Sequence, residues 1–170
     1  MTEPVDIRFV VFDVDGVLTD GRILLDARGT ETKRFHVRDG LAIRAAMSMG
    51  IKIGVLTARS SPAVALRMNE LNVKLLIQGA KDKKIGFQTL CQQAEVEMNQ
   101  TAYMGDDLLD LPALLRCGYP MAPADAVAEV LKVARYITAA SGGQAAAREA
   151  IEHILKAQGH WDKCVEQFGN

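Results

Sequence analysis

The stretch Arg8-Phe9-Val10-Val11-Phe12-Asp13-Val14-Asp15-Gly16-Val17-Leu18-Thr19 decides the reading of the chain. Its opening residues are a short, unbroken apolar run, the pattern of a strand buried on both faces of a parallel sheet. The run then ends abruptly on two carboxylates. Four more apolar runs follow at 50–56, 73–77, 101–104 and 119–122. Helical patterns separate them at about 41–49, 62–71, 82–94, 108–116 and 124–133, with a last helix at about 144–157. Ser61-Pro62 has a capping hydroxyl followed by proline, a favourable helix start. Repeated strand–helix alternation predicts an α/β fold: a parallel sheet covered by helices on both sides, with right-handed crossovers.

One segment departs from this rhythm. Residues 21–25 and 30–37 flank Asp26-Ala27-Arg28-Gly29, which predicts a β-hairpin flap over about 21–37. It follows the first strand, so it overhangs the carboxyl edge of the sheet, where open α/β folds bind ligands.

Size and composition narrow the choices. The 170 residues are 49% hydrophobic and 24% charged, a globular balance that excludes disorder, collagen and disulfide scaffolds. Twenty Lys+Arg against 21 Asp+Glu give a net charge of −1, which argues against nucleic acid as a partner. Cys91, Cys117 and Cys164 form no close pair, as expected in a reducing compartment. Residues 1–6 carry acids where a signal peptide carries basic and apolar residues, and no run reaches the length of a membrane span. The expectation is a soluble cytoplasmic protein without membrane association.

Polar groups gather at the strand ends: Asp13 and Asp15, Thr57 with Arg59, Lys83, and Gly105-Asp106-Asp107-Leu108-Leu109-Asp110. Each alone reads as a turn, a cap or a solvated surface residue. Together they deliver several carboxylates, a hydroxyl and an ammonium to one crevice. Crowded carboxylates repel unless a cation resolves the conflict, and Mg²⁺ is the hard cation suited to carboxylate oxygens and phosphate. In that chemistry Asp13 is a nucleophile forming an aspartyl phosphate, and Asp15 is an acid and base. Thr57 and Lys83 donate to phosphoryl oxygens.

These motifs, Asp13-Val-Asp15-Gly-Val-Leu-Thr, Thr57-Ala-Arg59, Lys83 and Gly105-Asp106-Asp107, resemble the haloacid-dehalogenase superfamily of phosphohydrolases, over nearly the whole chain. More narrowly, Asp13 to Gly21, Phe35-His-Val-Arg38-Asp39-Gly40 and Gln78-Gly79 are similar to its branch that hydrolyses 3-deoxy-D-manno-octulosonate 8-phosphate, a precursor of the lipopolysaccharide sugar KDO. Phosphatases of nine-carbon sialic-type acid sugars are similar too. The resemblance implies a Rossmann-like three-layer α/β/α domain spanning 1–170. It implies Mg²⁺ held by Asp13, Asp106 and the main-chain carbonyl of Asp15, with Asp107 near metal and substrate. Substrate contacts fall on His36 (commonly Asn in the family), Val37, Arg38, Asp39, Gly40, Arg44, Arg59 and Arg67, besides Asp15 and Lys83. Arg is suited to bidentate capture of a carboxylate or phosphate on a small acidic sugar phosphate.

The gaps between motifs hold no cap domain, which needs roughly 50 residues. The family's alternative is a homotetramer with packed hairpins, whose sites are closed at subunit interfaces. Ser141-Gly-Gly-Gln144-Ala145-Ala-Ala-Arg148-Glu resembles the family's Gly-Gly-x-Gly-x-x-Arg-Glu, with Gln144 and Ala145 as departures. Trp161 and Phe168 lie in a polar tail at about 158–170 that either docks on a neighbour or dangles. Haloacid dehalogenation is disfavoured because Asp15 is present, and a mutase because no cap closes the site. A non-catalytic phosphate-binding subunit remains the rival outside enzymes.

Overall fold

The computed structural model describes residues 3, 4 and 6–169, with the side chain of Phe168 outside that description. In chain order it runs β1 (Phe9–Phe12), a hairpin of β2 (Leu24–Leu25) and β3 (Glu31–Thr32), α1 (Val37–Ser48), β4 (Lys52–Leu56) and α2 (Pro62–Glu70). It continues through β5 (Leu75–Ile77), α3 (Lys83–Ala94), β6 (Thr101–Met104), α4 (Leu111–Leu114), β7 (Tyr119–Ala122) and α5 (Ala128–Val133). It ends with β8 (Tyr136–Ile137), α6 (Ala146–Ala157) and α7 (Trp161–Gly169). Six strands make one sheet in the order β5-β4-β1-β6-β7-β8, every neighbouring pair parallel.

β1 sits in the middle of the sheet, and its pleat divides the core. Val10 and Phe12 face a cluster with Ala42 and Ile43 of α1, Met68 of α2 and Ile151 of α6. Phe9 and Val11 face the other way, onto Phe87 and Leu90 of α3, Leu114 of α4 and Val130 of α5. This is the expected three-layer α/β/α arrangement, and it explains why β1 is apolar at every position.

Several boundaries differ from expectation, for local reasons. The hairpin arms pair over only Leu24↔Thr32 and Leu25↔Glu31, far less than residues 21–37. Val37 belongs to α1 rather than to an arm, because the His36 ring nitrogen Nδ1 accepts from the Arg38 amide at 3.2 Å and caps the helix early. The Ser61 hydroxyl makes no cap bond, although Pro62 does open α2. Helix α5 starts at Ala128, since the Val127 amide is drawn to the Asp106 carbonyl at 2.9 Å. The 108–116 helix is split into a turn at Leu108–Asp110 and the short α4. Edge strand β8 and helix α7 were not foreseen. Helix α7 neither dangles nor waits for a neighbour: it docks on its own chain, with Cys164 buried and Trp161 under the guanidinium of Arg148.

Ala145 precedes α6 with φ +73, left-handed backbone that a Cβ disfavours. Glycine stands at this place in the family motif. Ala145→Gly is expected to stabilise the protein by about 1 kcal/mol in urea unfolding, strain relief outweighing the added unfolded-state entropy.

Candidate active site

Asp13 is the first residue beyond β1, and its amide donates to the Met104 carbonyl of β6 at 3.0 Å, so the sheet itself fixes its position. The chain then makes one irregular turn over Val14–Leu18, which Thr19 closes by donating from its amide (3.0 Å) and hydroxyl (3.2 Å) to the Val14 carbonyl. Gly16 sits in this turn at φ +94, and a Cβ there would overlap the Asp106 carboxylate. Only glycine gives both the backbone angle and the close approach.

The site is built around Asp110, the last residue of the Gly105–Asp110 motif, a position to which the sequence alone assigns no role. Asp110 is buried and accepts four bonds. Its Oδ1 takes the Lys83 ammonium at 2.6 Å and the Tyr103 hydroxyl at 2.7 Å. Its Oδ2 takes the amides of Asp106 and Asp107 at 3.1 and 3.2 Å. Asp110 therefore has no capacity left for a metal and acts by orienting the motif around it. The Asp-x-x-x-Asp spacing of 106 and 110 was the available clue.

Lys83, the first residue of α3, also stands 3.0 Å from Asp13 Oδ1. Burial would push its ammonium down, but the charges of Asp13 and Asp110 outweigh that and hold it above its usual range. Oxygens of Asp13, Asp106 and Asp110 lie within 4.8 Å of one another. Three carboxylates against this one ammonium leave two negative charges uncompensated. Burial first, and the Asp110 charge second, push Asp13 and Asp106 up to about 7. Asp13 Oδ1 and Asp106 Oδ1 are buried without a well-directed hydrogen bond. Two such hard oxygens beside a double charge deficit are what a divalent cation fits.

Thr57, at the end of β4, is buried, and its hydroxyl accepts from the Arg59 amide at 3.3 Å. The Asp15 side chain reaches the hairpin, bonding the ammonium of Lys33, with Arg59 Nε at 3.8 Å. Asp13, Asp15, Thr57, Arg59, Lys83 and Asp107 share one crevice of about 140 Å³. That volume suits a phosphoryl group and falls well below the few hundred Å³ of a pocket enclosing a whole ligand.

The other expected substrate contacts lie elsewhere. His36, Asp39, Gly40 and Arg67 meet in a separate hollow between α1 and α2, where Gly40 packs against the Arg67 guanidinium. Val37, at 77% exposure, Arg38 and Arg44 face solvent. Neither group lines the acidic crevice of its own protomer. Asp39 also caps α6 across the fold, accepting from the Arg148 amide at 2.7 Å.

Fold and acidic crevice together define a haloacid dehalogenase-type α/β hydrolase, and the family model for haloacid dehalogenase-like hydrolase matches residues 75–149. The chain is 45% identical to 3-deoxy-D-manno-octulosonate 8-phosphate phosphatase of Haemophilus influenzae, over 91% of this chain and 86% of that one. A cobalt-bound structure of the Haemophilus influenzae phosphatase superposes with a TM-score of 0.91 at 43% identity, covering 94% of each chain. The Moraxella catarrhalis phosphatase, solved with magnesium, phosphate and KDO, superposes with a TM-score of 0.94 at 39% identity, covering 97% of this chain and 95% of that one. The chain belongs to the haloacid dehalogenase-like hydrolases, in the branch these phosphatases form.

Two outcomes follow from the electrostatics. Asp110→Asn sets an amide NH2 against donors on one side, either the backbone amides of Asp106 and Asp107 or the Lys83 and Tyr103 groups, and is expected to cost about 3 kcal/mol in urea unfolding. Burial pushes Asp39 up to about 6. A raised folded pKa means its stabilising contribution is complete below the unfolded value and is lost as pH climbs through about 6. The advantage of Asp39→Asn over the parent should therefore grow by roughly 3 kcal/mol between pH 4 and 8, measured by denaturation at each pH.

Proposed function

We propose that this protein is a Mg²⁺-dependent phosphomonoesterase that hydrolyses 3-deoxy-D-manno-octulosonate 8-phosphate to KDO and inorganic phosphate. The observation that carries this reading is the cluster of Asp13, Asp106 and Asp110 oxygens within 4.8 Å of one another, with the Lys83 ammonium 3.0 Å from Asp13 Oδ1 and the buried Asp106 Oδ1 without a hydrogen bond. The identity to phosphatases of that substrate over most of the chain supports the choice of sugar.

An Asp13 oxygen attacks phosphorus while the ester bond to the sugar breaks, and Asp15 protonates the departing alkoxide. Asp15 then takes a proton from water, which attacks phosphorus and breaks the bond to Asp13. Phosphate leaves and both carboxylates return to their starting state. Lys83 and the Thr57 hydroxyl bind the non-bridging oxygens throughout. When bound by Asp13, Asp106 and the Asp15 main-chain carbonyl, Mg²⁺ neutralises these carboxylates together with the phosphoryl charge. Asp107 lies at the crevice edge, toward the substrate.

The sugar extends beyond the crevice toward cationic groups. Arg59 stands at its mouth, while His36, Val37, Arg38, Asp39, Gly40, Arg44 and Arg67 serve the acid sugar in an assembled homotetramer, where a neighbouring copy closes the site. Supporting this are the small crevice, the separation of these residues from it, and the apolar hairpin left bare at Ile23, Leu24 and Leu25. The chain acts as a single domain. Its cysteines are all free, and no helix of the described residues is long and apolar enough to cross a membrane, which supports a cytoplasmic setting.

Asp13→Asn is expected to lower kcat by at least about 10⁴-fold with the fold intact by circular dichroism. EDTA should abolish turnover and Mg²⁺ should restore it. Ordinary turnover by the variant, or indifference to chelation, would overturn the mechanism. A specificity constant higher for a nine-carbon acid-sugar 9-phosphate than for the eight-carbon substrate would reassign the sugar. Tight phosphate binding without any hydrolysis would favour a binding subunit.

A further inference from the structure

The hairpin has little of its own to hold it. Its two strands share two residue pairs, and Leu24 and Leu25 face outward, whereas a lone two-stranded hairpin is marginal in water. Yet it carries a lysine whose side chain is only 2% exposed. Lys33 Nζ bonds Asp15 Oδ1 and stands 3.4 Å from Glu31 Oε1. The same Glu31 oxygen takes Arg59 Nη2 at 2.7 Å, and Arg59 Nε faces Asp15 Oδ2 at 3.8 Å. Asp15, Lys33, Glu31 and Arg59 thus close a ring of alternating charge between flap and strand ends. At the base of the arm, Arg34 pairs with Asp20 at 2.9 Å.

Withdrawing an ammonium from water costs several kcal/mol unless partners compensate it. A lysine that served only solubility would extend into solvent, as the hairpin geometry permits. Asp15, in contrast to Asp13, is not held by the sheet: it sits on non-helical backbone (φ −80, ψ 111) inside the irregular turn. Its carboxylate is held between two cations, one oxygen bonded by Lys33 of the hairpin and the other faced by Arg59 from the loop after β4.

We propose that Lys33 is a positioning residue for phosphoryl transfer: it fixes the orientation of the Asp15 carboxylate toward the leaving oxygen, and Glu31 sets Arg59 beside it. The flap is then part of the catalytic apparatus of its own protomer as well as a packing surface. This inference rests on the assignment of Asp15 as the proton donor to the leaving group.

The test is Lys33→Met in the full-length protein with Mg²⁺, assayed on phenyl phosphate and 4-nitrophenyl phosphate. These probes are alike in size, but the nitrophenolate departs with much less need of a proton. The specificity constant for phenyl phosphate should fall at least about tenfold, a part of what general acid catalysis contributes. That for 4-nitrophenyl phosphate should fall less than about threefold, and competitive inhibition by inorganic phosphate should stay within about threefold of the parent. Should the methionine variant not fold, Lys33→Gln makes the same measurement. An equal loss on both esters, no loss, or a loss matched by weaker phosphate binding would overturn the proposal. A parent protein inactive on every phosphomonoester, including the acid-sugar phosphate, would instead overturn the phosphatase reading and this inference with it.

Discussion

One ammonium faces three clustered carboxylates in the crevice, and the chemistry of the site follows from that imbalance. Lys83 compensates a single charge while bridging Asp13 and Asp110. Asp110 is saturated by its four bonds, so the deficit falls on Asp13 and Asp106. Without a cation these two hold protons up to about pH 7, which would leave a poor nucleophile. A divalent ion and a bound phosphoryl group are therefore coupled demands: the ion removes the anionic repulsion that would otherwise exclude the substrate.

Elements far apart in the chain serve to keep this charge arrangement in place. The middle strand ends at Asp13 because its neighbours fix it on both sides. The nucleophile turn is braced from the C-terminal third, where the Gly143 amide donates to the Val17 carbonyl at 2.9 Å and Gly142 lies too close to the Gly16 carbonyl to admit a side chain. The Asp106 carbonyl in turn sets the start of α5 through Val127. The acidic crevice and the packing of the two core layers are thus one construction.

The sheet was legible in the sequence because buried parallel strands are apolar throughout, and Phe9–Phe12 shows this at its plainest. The five strand-end residues Asp13, Asp15, Thr57, Lys83 and Asp106 were legible because chemistry-bearing side chains stood where apolar runs stopped. Asp110 works by accepting bonds, so apart from its spacing from Asp106 it looks in the sequence like any other residue of a helix. Lys33 and Glu31 belong to no motif in the sequence, and only the three-dimensional closure of the hairpin onto Asp15 and Arg59 gives them partners. Helix boundaries failed where side chains or distant carbonyls replaced ordinary caps, as at His36 and Val127. The tail was read as polar, yet Cys164 and Trp161 anchor it through a cation–π stack and burial against α6.

The central claim is that Asp13 makes the bond to phosphorus. Beryllium fluoride, soaked with Mg²⁺ into crystals of the parent protein, tests it most directly. The account requires a beryllium–oxygen bond to the Asp13 carboxylate, with the metal shared between Asp13 and Asp106. Beryllium bonded to any other side chain, with Asp13 left free, would contradict it.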